Sequence, residues 1–205
     1  MQYIFIHGLG QDSSSWSKTI SAIKKPIQPT CPDLFSLLEN NEVTYANLYR
    51  AFSDYCQKFS EPLNLCGLSL GGVLALNYAI DNPTKIQSLV LIGTQYKMPR
   101  ALLKLQNIIF RVMPNSVFKG MGLAKKDVIN LTNSMMHIDF SAELKNISCR
   151  TLIICGVKDS ANKRAANELS KTIQSAELKF ISNASHEVNK DNPEILALEI
   201  ESSCP

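Results

Sequence analysis

Leu63-Asn64-Leu65-Cys66-Gly67-Leu68-Ser69-Leu70-Gly71-Gly72-Val73-Leu74-Ala75-Leu76 is the stretch from which the rest of the chain can be read. It opens as an apolar run of strand length, passes through Gly67-x-Ser69-x-Gly71, and continues as a small and apolar helix. Strand, sharp turn and helix with a serine at the apex is the nucleophile-elbow pattern. The spacing has a steric cause. A serine held in a strained turn leaves no room for side chains on either flank, and glycine at the −2 and +2 positions removes those Cβ atoms. The hydroxyl then stands at the positive end of the following helix, where developing negative charge is stabilised.

Outward from this stretch, apolar strand runs alternate with helical periodicity. Tyr3-Ile4-Phe5-Ile6 reads as a buried strand running into His7-Gly8-Leu9-Gly10. Ser13 or Ser14 is expected to cap a helix carrying Trp16, Ile20 and Ile23, and a short strand follows near Ile27–Cys31. Thr44 is expected to cap a long helix whose apolar face is Tyr45, Leu48, Tyr49, Phe52, Tyr55, Cys56 and Phe59. Strands are expected at Ile86–Ile92, Arg150–Cys155 and Ala176–Ile181, a helix at Asn162–Ile173, and a last helix opening at Asn192-Pro193-Glu194. Residues 95–145 lack strand runs but are rich in Leu, Ile, Val and Met, and read as two or three inserted helices. The alternation predicts an α/β protein with a mostly parallel sheet covered on both faces. His7, Ser69, Asp159 and His186 each fall just past the end of an apolar strand run, the edge where such sheets bind ligands.

Bulk composition narrows the function. The chain has 205 residues, 45% hydrophobic and 19% charged, with a formal net charge of +3, which fits one globular domain and gives no reason to expect nucleic acid. The N-terminal run reads as a strand and not as a signal peptide, and no apolar run reaches the ~18 residues of a membrane span. The cysteines Cys31, Cys56, Cys66, Cys149, Cys155 and Cys204 form no C-x-x-C pair and carry no zinc-ligand spacing. A reducing, cytoplasmic setting is expected, without metal or cofactor and without stable membrane insertion; the oligomeric state is not legible.

A serine nucleophile needs a base, and the base needs an orienting acid. The only histidines are His7, His137 and His186, and the order Ser69…Asp159…His186 is that of one hydrolase class. With these residues assembled, the chain resembles the α/β-hydrolase superfamily over nearly its whole length. Tyr3–Gly10 is similar to that family's strand and H-G-x-G loop, Pro32-Asp33-Leu34 to its P-D-L segment, and Gly67–Gly71 to its elbow. Ser88–Gly93 resembles the following strand, Gly156-Val157-Lys158-Asp159 the acid turn, and Ser185-His186 with Asn192-Pro193-Glu194 the histidine loop. The resemblance begins at the family's third strand, which implies a sheet of about six strands. Ser185 stands where the family commonly has glycine.

The resemblance implies a catalytic set of Ser69, Asp159 and His186, with the backbone N–H groups of Leu9 and Leu70 as oxyanion donors, on a single domain spanning 1–205 with a small helical lid at about 95–145. It leaves His7 as a structural loop residue. His137 is expected on a helix surface or lining the lid. Asp191 is expected to be a solvated loop charge. The implied reaction is hydrolysis of an ester or thioester of a small to medium acyl group. An aminopeptidase, a carbon–carbon bond hydrolase and a non-catalytic ligand-binding member stand as alternatives. The carboxylates open to a peptidase in the inserted segment are Asp127, Asp139 and Glu143. From Gln95 to Asp127 there are seven basic residues, Lys97, Arg100, Lys104, Arg111, Lys119, Lys125 and Lys126, against one acid. This segment is expected either to present a solvated basic face or to draw in anionic substrates or surfaces, with the apolar Leu102–Met113 face holding an acyl chain.

Overall fold

The computed structural model describes residues 2–119 and 123–203, so Cys204 lies outside the described residues. Six strands form one sheet: β1 (Gln2–Ile6), β2 (Gln28–Thr30), β3 (Leu63–Leu68), β4 (Ile86–Ile92), β5 (Arg150–Gly156) and β6 (Ala176–Ile181). They are all parallel, in the order β2-β1-β3-β4-β5-β6. The helices are α1 (Ser17–Ala22), α2 (Tyr45–Gln57), α3 (Leu70–Asp81), α4 (Arg100–Val112), α5 (Asn115–Lys119), α6 (Lys125–Met135), α7 (Lys163–Thr172), α8 (Val188–Asp191) and α9 (Pro193–Ser203). The chain leaves β1 for one edge and returns to build β3 on its other side. That reversal places the ends of β1 and β3 beside a crevice, the usual ligand position of an open α/β sheet.

The period of two along each strand sorts the core into two layers. Ile4, Ile6, Leu63, Leu65, Leu89, Leu91 and Ile153 pack with α2, α3 and α7 on one face. Tyr3, Phe5, Cys66, Leu68, Val90, Ile92 and Ile154 meet Trp16, Leu196 and Ile200 on the other. α3 is apolar nearly all round, as a helix buried on the sheet must be, and residues Leu70 to Leu76 are buried without exception.

The helix ends follow capping chemistry, with one correction. Thr44 caps α2 as expected, its Oγ1 accepting the Asn47 N–H at 3.3 Å. Ser13 and Ser14 do not cap the first helix. Asp12 instead caps a tight 3₁₀ turn, Ser13–Trp16, accepting the Ser14 N–H at 2.8 Å, and α1 follows it from Ser17 with no side-chain cap of its own. The carboxylate is the stronger acceptor and sits one residue earlier, so the turn forms around it.

Between β4 and β5 the chain inserts α4, α5 and α6. The insertion closes on itself at its base. The Met98 N–H donates to the Ile138 carbonyl at 3.0 Å and the Phe140 N–H to the Tyr96 carbonyl at 2.9 Å, while Lys97 and Asp139 form an ion pair at 2.7 Å. Above this neck, Thr132 Oγ1 and Asn133 Oδ1 of α6 both bond to the Asn107 amide of α4. The insertion also reaches the body: Ser134 Oγ accepts the Tyr45 N–H at 2.8 Å, satisfying a donor in the first turn of α2.

Phe52 has no exposed surface and meets Tyr78 edge to face, with ring centroids 5.9 Å apart. Phe52→Ala is expected to cost about 3–5 kcal/mol. It should lower the thermal midpoint by about 6–20 °C at ~2–4 °C per kcal/mol for a chain of this size. Thr44→Ala should cost about 1 kcal/mol. Thermal unfolding followed by circular dichroism measures both.

Candidate active site

The elbow is built from backbone crowding. Ser69 holds φ +53° and ψ −115°, and its N–H donates to the Ile92 carbonyl at 2.8 Å, which ties the apex to the end of β4. A Cβ on Gly71 would lie 2.2 Å from the Ile6 carbonyl oxygen, and one on Gly67 would lie 2.4 Å from that of Gly71. Those contacts are with backbone and cannot relax, so both positions require glycine.

Leu70 is the first residue of α3, so its N–H has no acceptor inside the helix. Leu9 sits in the turn Gly8–Gln11, which is closed by the Gln11 N–H on the Gly8 carbonyl at 3.2 Å and carries Gly10 at φ +81°. The closing bond does not use the Leu9 N–H. His7, fully buried, fixes this loop. Its Nδ1–H donates to the Gly8 carbonyl at 2.9 Å and its Nε2 accepts the Leu34 N–H at 3.0 Å. This arrangement assigns the neutral tautomer, and burial pushes the imidazole pKa below its ordinary value.

Asp159 and His186 meet at 2.9 Å, Nδ1 to Oδ2, with the carboxylate side chain 5% exposed and the imidazole 41%. Asn162, buried at the N-terminus of α7, donates its amide to both Asp159 oxygens, at 3.0 and 2.8 Å. Burial raises the Asp159 pKa, but the bonds from His186 and Asn162 together outweigh it and hold the carboxyl below its ordinary value. With Nδ1–H turned to Asp159, Nε2 carries the imidazole lone pair. The ring lies over Gly93. At φ +54°, a Cβ there would stand 2.9 Å from His186 Nδ1 and 3.3 Å from Asp159 Oδ2.

Three features of this region have no signal in sequence. One is the Asn162 clamp. The second is Asp191. It is at the surface, as expected, but it is not isolated: its Oδ2 accepts both the backbone N–H of Ser185, at 2.7 Å, and the Ser185 hydroxyl. Asp191 thereby grips the residue directly before His186, and these bonds hold its own pKa below the ordinary value. The third is a stitch between the first and last loops. Gln11 donates to Glu187 at 2.7 Å and exchanges amide contacts with Asn189 at 3.2–3.3 Å, while Asn189 also donates to the Ser15 carbonyl.

Ser69, Leu9, Leu70, Asp159 and His186 line one cavity of about 380 Å³. Its walls are mainly apolar, from Val73, Met98, Leu103, Leu131 and Met135, with Gln106 and Thr132 from the insertion. Among the described residues, Asp159 is the one carboxylate of that lining, and no lysine or arginine contributes to it. Asp139 is instead held by Lys97 and Ser141, its pKa pulled down to about 2. His137 is exposed in the turn after α6 and does not reach the cavity. Of the basic residues of the insertion, Lys125 bonds the carbonyls at the end of α4, and Arg100 bonds the Met136 carbonyl. Among the described residues, no group of three or more His, Cys, Asp or Glu could hold a metal ion, and no helix is long and apolar enough to cross a membrane.

The acid limb of stability gives a check on the Asp159 environment. Its folded pKa lies below the unfolded value, so its contribution is present above about pH 4 and lost as pH falls through the folded pKa. Asp159→Asn should therefore melt below wild type at neutral pH, with the gap closing as pH falls below about 4. Paired thermal melts across that range measure it.

The chain is also similar to known proteins. Two curated relatives are pimeloyl-[acyl-carrier protein] methyl ester esterases. The one from Pseudoalteromonas atlantica is 28% identical over 103 residues, 48% of this chain and 39% of the relative. The one from Legionella pneumophila is 29% identical over 149 residues, 68% of this chain and 58% of the relative. The match to these relatives thus spans less than two thirds of their length. MenH from S. aureus superposes with a TM-score of 0.81 at 16% identity, covering 98% of this chain and 92% of that one. A model of the alpha/beta hydrolase family matches residues 3–199, and the chain belongs to that family.

Proposed function

We propose that the protein is a serine hydrolase that cleaves an ester or thioester of a small to medium acyl group through an acyl-enzyme. The observation that carries this reading is that a strained Ser69 lines the same apolar-walled cavity as Asp159 and His186, which are bonded to each other at 2.9 Å. In the first half-reaction Ser69 Oγ attacks the acyl carbon while His186 Nε2 takes the hydroxyl proton. The N–H groups of Leu9 and Leu70 hold the oxyanion, and Asp159 stabilises the imidazolium through Nδ1–H. Collapse breaks the bond to the leaving oxygen or sulfur, which departs with the proton from His186. Water then attacks the acyl-serine with His186 again as base, and the acid and free serine are restored. The relatives' printed activity on an acyl methyl ester supports an acyl ester substrate here.

We read residues 1–205 as a single domain in which the 95–145 insertion is a lid over the serine. The five described cysteines are free thiols, which supports a reducing compartment such as the cytoplasm. The reading calls for no metal, cofactor, nucleic acid or stable membrane insertion. An aminopeptidase is disfavoured because the cavity offers no carboxylate beyond Asp159 to hold a substrate amine.

Ser69→Ala and His186→Ala should each leave a folded protein and lower ester turnover by several orders of magnitude, because the two act as a unit. Asp159→Asn should cost roughly 10²–10⁴ in kcat. Asp191→Ala, which frees Ser185 and loosens the loop before His186, should lower kcat about tenfold with little change in KM, since small misplacements of catalytic groups are costly. Asp191→Asn keeps one acceptor and should recover part of the loss. A rate panel of p-nitrophenyl esters of rising chain length, with an acyl-thioester and an amino-acid anilide, measures these effects and separates esterase from peptidase. Failure of an active-site phosphonate to label Ser69 would show a binding member without turnover.

A further inference from the structure

α4 is apolar on two opposite sides. Its inner side is fully used: Leu103 and Gln106 line the cavity, Asn107 bonds into α6, and Phe110 meets Phe118 edge to face at 5.6 Å between centroids. Its outer side carries Leu105, Ile108, Ile109 and Val112, spaced i, i+3, i+4 and i+7, with exposures of 55%, 59%, 47% and 80%. Val117 of α5 is exposed as well, at 38%. A continuous exposed apolar band of this kind marks an interaction surface. The side chains of Leu102 and Lys119 are not among those described.

Charge identifies what the band meets. At 100° per residue, Arg100, Lys104 and Arg111 fall together on one flank of the outer face, and all three are exposed. No acidic residue occurs between Gln95 and Lys126, so no anion of that segment offsets them. An apolar stripe bordered by cations on one short helix is the pattern of a helix lying in the plane of a lipid–water interface. The stripe is presented outward by a single helix, which suits a flat, deformable surface. We propose that α4 seats this protein on an anionic lipid surface, the apolar stripe buried at the headgroup boundary and the Arg100–Lys104–Arg111 flank against lipid phosphates. The acyl cavity lies directly beneath the same helix, so the surface and the cavity are two sides of one element. The docking does not depend on the hydrolytic reading, although that reading gives it a use.

Co-sedimentation with vesicles tests this, using wild type and Ser69→Ala in parallel so that binding and turnover are read apart. Both proteins should bind phosphatidylglycerol-rich vesicles and bind phosphatidylcholine vesicles much less. Binding should weaken as salt rises from about 0.1 M to about 1 M, where the screening length falls from ~10 to ~3 Å. Leu105→Ser with Ile108→Ser should reduce partitioning at least tenfold. Lys104→Ala with Arg111→Ala should reduce it by about fivefold for each cation removed. Both double variants should keep wild-type turnover of a short soluble ester, which shows that they fold. Equal binding to neutral and anionic vesicles, or no binding to either, would overturn the proposal. So would sedimentation velocity showing a wild-type dimer that Ile108→Ser dissociates, or binding only to an acidic protein, since either result gives the face another occupant.

Discussion

The close approach of two backbones at the elbow is the constraint on which the rest of the structure depends. Gly71 lies so near the end of β1 that a single added carbon would fall 2.2 Å from the Ile6 carbonyl oxygen. The helix after β3 is thereby set against β1, and the serine between them is forced to φ +53°. A non-glycine residue in that conformation costs about 1–3 kcal/mol. The cost is offset by bonds that leave the turn no alternative: Ser69 N–H to the Ile92 carbonyl, and Val73 N–H to the Ser69 carbonyl at 3.0 Å. Strain is retained because the flanking strands β1 and β4 are buried where they approach the turn.

The other parts of the site hang on loops, and loops need fixing. Here the fixing is done by side chains reaching across the carboxyl edge of the sheet. Buried His7 ties the first loop to Leu34. Gln11 ties the same loop to Glu187 and Asn189 on the far side of the site. Asp191 holds Ser185, and the Lys158 N–H bonds the Ala184 carbonyl at 2.9 Å, which draws the acid turn and the histidine loop together. Asn162 then fixes the carboxylate itself. The Asn162 and Asp191 bonds are local, but His7, Gln11 and Lys158 each join segments more than twenty residues apart, so the geometry of the site depends on the assembled sheet and not on any single loop.

That division explains what the sequence discloses. The elbow, the alternating strands and Thr44 are legible because each rests on local chemistry: spacing, period or a cap within four residues. The positions of Asp159 and His186 follow from strand ends and from family resemblance. The Asn162 clamp, the Asp191–Ser185 bond and the Gln11 stitch are not legible, because an amide or a carboxylate in a loop has many possible partners until the fold chooses one. Asp12 was masked by two serines that are equally good caps on paper. For α4, periodicity reveals a strongly apolar helix but not which side is packed. The inner side turned out to be a mixed row of Leu103, Gln106, Asn107 and Phe110, and the purer apolar stripe is the exposed one.

The neck of the insertion bears on how such a protein changes over time. Tyr96, Met98, Ile138 and Phe140 bring the two ends of the inserted segment together before any of its helices begins. The strands on either side therefore meet a closed hairpin base, whatever is threaded above it. Lengthening a closed loop is cheap, about 0.6 kcal/mol for each doubling. Substitutions, insertions or wholesale replacement above the neck can remodel the roof of the cavity while β4, β5 and the elbow stay in register. The cost of altering the segment above the neck thus falls mainly on that segment, and the folding of the sheet is not put at risk.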